Sequence, residues 1–172
     1  LPFLGIINGF DQSTDGTIWA STDGGLLEAN LFTNKFFVHM HDDDNPNSII
    51  SNALSSVIVD QMGRVGAVTS KAGISVIDLK QNIVRSFFHV DSDLNSISSN
   101  QINDVYEDNK GRMWFGTYEG LNLFVEAKSE FLRFNKQNTD LPSDIITSIF
   151  QSREGKFWVG TFYGLASGTP NL

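Results

Sequence analysis

The stretch YEDNKGRMWFGTYEGL, residues 106–121, decides the fold, because the chain repeats its pattern in four places. The other copies read QSTDGTIWASTDGGL (12–26), VDQMGRVGAVTSKAGI (59–74) and FQSREGKFWVGTFYGL (150–165). Their first glycines, Gly16, Gly63, Gly111 and Gly155, lie 47, 48 and 44 residues apart. Self-similarity at a period of that size marks a repeat architecture. With several short β-type runs per period, it fits a propeller blade better than a helical solenoid.

The copy at 106–121 shows how one repeat is built. Residues 101–108 (QINDVYED) set apolar Ile102, Val105 and Tyr106 among polar groups and read as a strand. Asp108, Asn109, Lys110 and Gly111 make a tight turn, with glycine free to take positive φ. In the second strand, 112–117 (RMWFGT), Met113 and Phe115 face one side and Trp114 and Gly116 the other. Both faces are therefore made for burial, as in a sheet packed between two neighbours. Gly116 leaves room beside Trp114 for a large ring or a backbone from the next sheet. A second turn at Tyr118-Glu119-Gly120, a third strand at 121–126 and a fourth at 131–135 complete a four-stranded antiparallel meander. The expected fold is all-β: about 3.6 propeller blades forming part of a larger propeller, at 6–52, 53–100, 101–143 and, incomplete, 144–172. Trp19, Trp114 and Trp158 hold equivalent repeat positions and are expected to pack between blades.

The linkers repeat as well. Asp43-Asp44-Asn45-Pro46-Asn47-Ser48-Ile49 matches Asp91-Ser92-Asp93-Leu94-Asn95-Ser96-Ile97 position by position. Asp and Asn fold such loops back by bonding their own backbone. Over 172 residues the formal net charge is −8, so a nucleic-acid backbone is not an expected partner. No apolar run of 18 residues exists to insert into a membrane. The chain holds no cysteine, which excludes disulfides and thiolate chemistry. It shows no secretory leader and begins at Leu1, and reads as a fragment of a longer polypeptide.

The phrase [D/E/N/K]-x-G-x-x-W-x-G-T-x-x-G-L, preceded by an Ile/Val-rich strand and followed by an N-S-I linker, resembles the two-component regulator propeller repeat. The second copy departs from it, with Gly66 at the Trp position, Val68 at the Gly position and one extra residue before Gly73. The resemblance implies a periplasmic sensor region of a membrane-anchored bacterial receptor, of hybrid histidine kinase or diguanylate cyclase type. It also implies an unidentified small ligand, carbohydrate being the class some of the family suggests. The alternative is a protein-interaction scaffold with no small ligand.

His39-Met40-His41-Asp42-Asp43-Asp44 carries metal-ligand groups, but its acidic half recurs at 91–97, read there as lacking the histidines, so a turn is the expected role. Asp91-x-Asp93-x-Asn95 imitates the start of a calcium loop, yet Ser96 replaces the required Gly and Ile102 the bidentate Glu. No nucleophile elbow, zinc-protease helix, phosphate loop or dinucleotide fingerprint occurs, so neither catalysis nor a cofactor or metal is expected. The expected binding surface is the end carrying the turns between second and third strands, at 22–25, 70–73, 117–120 and 161–164. Its candidate residues are Asp23, Lys71, Tyr118, Glu119, Phe162 and Tyr163.

An arc of blades leaves its first and last faces uncovered. Depending on strand phase, these carry Ile18, Leu26 and Phe36 at one end and Phe157, Val159 and Leu165 at the other. Burying about 500 Å² there offers on the order of 12 kcal/mol before association costs. Self-association as a two-fold homodimer is therefore expected, with residues 1–5 donated as a strand to the partner's fourth blade.

Overall fold

A computed structural model describes residues 5–168, and every regular element among them is a β-strand. The fifteen strands form four antiparallel sheets, each pairing consecutive strands only. The first sheet comprises β1 (Ile7–Gln12), β2 (Ile18–Thr22), β3 (Gly25–Asn30) and β4 (Lys35–His39). The second comprises β5 (Leu54–Val59), β6 (Val65–Thr69), β7 (Ile74–Asp78) and β8 (Ile83–Phe87). The third comprises β9 (Ile102–Glu107), β10 (Met113–Thr117), β11 (Gly120–Val125) and β12 (Glu130–Phe134). The fourth has three strands among the described residues: β13 (Ile146–Gln151), β14 (Phe157–Thr161) and β15 (Gly164–Gly168). In the third sheet each strand boundary falls within one residue of the sequence reading. The chain divides into two compact units, Leu1–Phe87 with the first two sheets and Phe88–Leu172 with the last two. Four of the five residues expected to form a donated strand, 1–4, lie outside the described residues.

The repeated turn is rigid because a side chain organises it. The Asp108 carboxylate accepts the backbone N–H of Lys110 and Arg112 through Oδ1. Its Oδ2 accepts Arg112 Nε at 2.7 Å and the Trp114 indole N–H at 2.9 Å. Burial alone would push this carboxyl up. The bonds from Trp114 and Arg112 outweigh it and hold the group below the usual carboxylate range. Asp60 grips Met62 and Arg64 in the same way, and Ser13 Oγ takes the Trp19 indole N–H at 2.7 Å. The turn closes on Gly111 at φ 72°, a conformation open to glycine at little cost.

Each unit has its own core between its two sheets. In the first, Trp19 and Leu26 pack with Ile49, Leu54, Val57, Val65, Ala67 and Ile77. In the second, Trp114 meets Phe157 and Phe134 with ring centroids 4.9 and 5.8 Å apart, and Leu121, Ile146 and Val159 complete the cluster. A Cβ at Gly116 would lie 2.7 Å from Ile146 Cγ2, so the small residue admits an isoleucine side chain from the next sheet.

Strand phase corrects two expectations. Leu26, Phe157 and Val159 are buried in these cores and not on uncovered faces. The reason is that each shares a sheet face with the residue facing the unit's other sheet, as Leu26 does with Trp19. Trp158 is only partly buried, unlike Trp19 and Trp114. It pairs across the sheet with exposed Phe150, and Lys156 Nζ lies 4.5 Å from its ring centroid.

The linker reading also needs correction. His89 stands 48 residues after His41, so the histidine recurs with the acidic loop. Both rings bond the carbonyl of the isoleucine eight residues on and the aspartate two residues on. His39 belongs elsewhere: it bonds Glu28 at 3.0 Å and lies against Trp19 and Phe37. Asn95 N–H donates to Asp93 Oδ1, a side-chain-capped turn. Among the described residues no group of three His, Asp or Glu is placed to hold a metal ion, and no helix is long and apolar enough to cross a membrane.

Candidate functional site

The turns between second and third strands are fixed by a threonine that ends the second strand. Thr117 Oγ1 donates to the Gly120 carbonyl at 2.9 Å and accepts Glu119 N–H at 3.0 Å. Thr22, Thr69 and Thr161 make the same bond to Gly25, Gly73 and Gly164. Gly120, at φ 122°, is doubly required, since a Cβ there would sit 2.6 Å from the Phe134 carbonyl oxygen. The turn backbone is tied to the residue just before the first strand of its sheet: Asp23 N–H to Ile6 O, Tyr118 N–H to Gln101 O and Phe162 N–H to Ile145 O. These three turns therefore present their central side chains where the first strands begin.

In the first unit the site is polar. A cleft of about 350 Å³ is lined by Asn8, Asp23, Ala53, Leu54, Ser55 and Ser70. Asn8 Nδ2 bridges the Asp23 carboxylate at 2.9 Å and the Leu54 carbonyl at 2.8 Å, joining β1 to β5. Lys71 follows Ser70 and is exposed. In the second unit the equivalent positions are aromatic. Asn103 Nδ2 bonds the Ile146 carbonyl at 2.8 Å, as Asn8 does Leu54, but Tyr118 stands for Asp23, Phe162 for Ser70 and Tyr163 for Lys71. Phe162 and Tyr163 are 63% and 75% exposed, their rings edge to face at 5.0 Å, and Tyr118 and Glu119 are exposed on the corresponding turn of the preceding sheet. Thus Asp23 reaches a cleft in one unit, while Tyr118, Glu119, Phe162 and Tyr163 form exposed turn tips in the other.

Sequence reasoning missed Asn8, Ser55 and Asn103, and placed Ser70 only within the 70–73 turn. A signal existed: Ile7-Asn8 and Ile102-Asn103 recur in phase with Trp19 and Trp114. It also missed two inter-sheet clamps. Asp11 Oδ2 accepts Val59 N–H at 2.7 Å in the first unit, and Asp104 Oδ2 accepts Ile149 N–H at 2.6 Å in the second. Burial pushes the Asp104 carboxyl up, against the N–H bonds of Ile149 and Val105. Buried side-chain polar atoms among the described residues all have partners, so these groups hold the scaffold together.

The geometry of each unit defines a class: antiparallel sheets of the β-propeller-blade type, packed in pairs, whose turns between second and third strands are held by a threonine and vary in chemistry. Residues 96–119 and 140–163 match the two component regulator propeller family, and both matches end on candidate turns. Comparison with curated proteins finds no match. Among solved structures, 99% of the chain superposes on the extracellular domain of BT3049 from B. thetaiotaomicron, a protein assigned to the hybrid two-component systems. The TM-score is 0.85 at 21% identity, over 24% of that chain. A catalytically inactive virginiamycin B lyase from Staphylococcus aureus, solved with quinupristin, gives a TM-score of 0.64 at 14% identity, covering 96% of this chain and 56% of that one. The β-propeller domain of Cps50 (Swd1) from Myceliophteria thermophila gives 0.58 at 13% identity, covering 90% and 49%. The chain spans about a quarter to a little over half the length of these proteins, and the likeness establishes the propeller fold.

Proposed function

We propose that this chain is a non-enzymatic sensor module, part of the extracytoplasmic propeller of a bacterial membrane-anchored signalling receptor of two-component or diguanylate cyclase type. The observation that carries the reading is the family match at two repeats. The fold likeness to an extracellular domain over nearly the whole chain supports it. In this reading the turn end receives the ligand. Asp23 and Lys71 offer charge beside the polar cleft, and Tyr118, Phe162 and Tyr163 offer flat rings with Glu119 as an acceptor. Rings beside hydrogen-bonding groups suit a carbohydrate, which stacks its C–H face and bonds through its hydroxyls.

Protease treatment of spheroplasts from the native bacterium tests the location. The reading expects an epitope in the exposed turn at residues 31–34 to be cleaved from outside while the protein stays with the inner membrane. An epitope protected until lysis, in the soluble cytoplasmic fraction, refutes it.

A further inference from the structure

Two linkers that read alike are held by different chemistry. In the first unit His41 sits between two acceptors, with Nδ1 2.7 Å from the Ile49 carbonyl and Nε2 2.9 Å from the Asp43 carboxylate. Neither partner can donate a proton. Both contacts are hydrogen bonds only when both ring nitrogens carry protons, and a neutral imidazole keeps one. The bond to Ile49 and the Asp43 carboxylate, with Asp42 nearby, hold this imidazole above the usual histidine range. Asp42 and Asp43 are the charged groups facing the ring. The remaining bonds of this residue stay within the loop between β4 and β5, from Nδ1 to the Ile49 carbonyl and from its backbone N–H to the Asn52 amide oxygen, both uncharged.

In the second unit His89 repeats the contacts, at 2.9 Å to the Ile97 carbonyl and 2.9 Å to Asp91. Here a further side chain holds the same loop. The Arg133 guanidinium, on β12, donates to the carbonyls of Asp93 (2.8 Å), Ser96 (2.7 Å) and Ile97 (3.3 Å) and to Ser96 Oγ (2.8 Å). A guanidinium does not deprotonate in a protein. Register shows what the first unit has instead. Arg133 pairs with Asn122, whose Oδ1 accepts Ser98 N–H, and Ser86 pairs with Ser75, whose Oγ accepts Ile50 N–H. Ser86 thus takes the place of Arg133, and its hydroxyl bonds Ser75 at 2.9 Å.

We propose that the first linker, residues 40–51, carries a proton-operated latch: protonated His41 fastens the 41–49 part of the loop at two points and neutral His41 at one, beside the pH-independent bonds of Asn47 to the Asn82 carbonyl and Val84 N–H, whereas in the second linker Arg133 holds that part of the loop at every pH. The latch lies on the segment that runs into β5, where Ala53, just before the strand, and Leu54 and Ser55 within it wall the cleft beside Asp23. Its state sets how firmly one wall of that cleft is ordered. Only this consequence for a ligand rests on the sensor reading; the latch does not.

Hydrogen exchange on the full chain tests it, measured at about pH 6 and about pH 9 and corrected for intrinsic exchange, so that the ordinary histidine range is bracketed. Protection of the amides at 41–50 should fall about fivefold, the ratio one net hydrogen bond is worth, while that at 89–98 holds. The His41→Gln variant should show the lower protection at both pH values. Ring ¹⁵N shifts of His41 should report two protonated nitrogens at the lower pH. Parallel loss in both linkers, no pH step in the first, or a step that survives His41→Gln overturns the proposal. The comparison of the two linkers in the unmodified protein stands even where the variant fails to fold.

Discussion

Trp114→Ala and Trp158→Ala remove the same side chain from the same repeat position, and the structure assigns them different costs. Trp114 is 1% exposed, lies between Phe157 and Phe134, and donates its indole N–H to a carboxylate with no exposed surface. Truncating a buried aromatic costs about 3–5 kcal/mol, and losing two aromatic neighbours places this site at the upper end. Trp158 is partly open to solvent and keeps a lysine over its ring, so about 1–2 kcal/mol is expected, the burial being incomplete. In a chain of 172 residues those losses correspond to roughly 10–15 °C and 3–6 °C in Tm. Urea and thermal unfolding followed by far-UV circular dichroism measures both, since the fluorescent indole is itself removed. Equal losses for the two variants, or a loss under about 1.5 kcal/mol for Trp114→Ala, would refute the argument from burial.

Three further outcomes concern Asp108, which is buried, and Asp104, which is partly buried. Asp108→Ala leaves the Arg112 guanidinium and the Trp114 indole N–H without their shared acceptor and should cost about 3 kcal/mol or more, read from urea midpoints. Because the Asp108 carboxyl is held below its ordinary range, its contribution is complete at neutral pH and is lost as pH falls through the folded-state value. Asp108→Asn should therefore flatten the stability curve below about pH 4, and an unchanged acid limb would count against this. Asp104 has the opposite sign. Burial raises its carboxyl, so its contribution is greatest in acid and falls as pH rises from about 4 through the folded-state value. Asp104→Asn keeps an acceptor for Ile149 N–H without the charge and should lessen that decline; parallel pH curves for variant and parent would contradict it.

The repeated phrase made the blades legible because turn glycines and alternating strands are local properties, written in adjacent residues. Residues 101–135 yielded four strands with boundaries good to one residue. Strand phase was less accessible. Which face of β2 or β14 meets a neighbour depends on the partner sheet, and both faces are apolar, so the phase that buries Leu26 and Phe157 is not written in those strands. His89 escaped because the linker comparison began at Asp91, two residues after the matching histidine. The exposed turn tips were readable from their spacing. The cleft was not, since it is made when Asn8 bridges Asp23 and Leu54, residues 15 and 46 positions away.

The central claim is that the turn end binds a ligand, and titration calorimetry against a panel of soluble oligosaccharides tests it most directly. Tyr163 is 75% exposed, so Tyr163→Ala should change stability by no more than about 0.5 kcal/mol and leave a folded protein for comparison. Asp23→Ala probes the polar cleft of the first unit in the same way. The account predicts at least one saccharide that binds the parent protein and loses about tenfold or more in affinity with one of these variants, as removal of a stacking ring or charged acceptor would cause. A panel without a binder, or a binder indifferent to both substitutions, would contradict it.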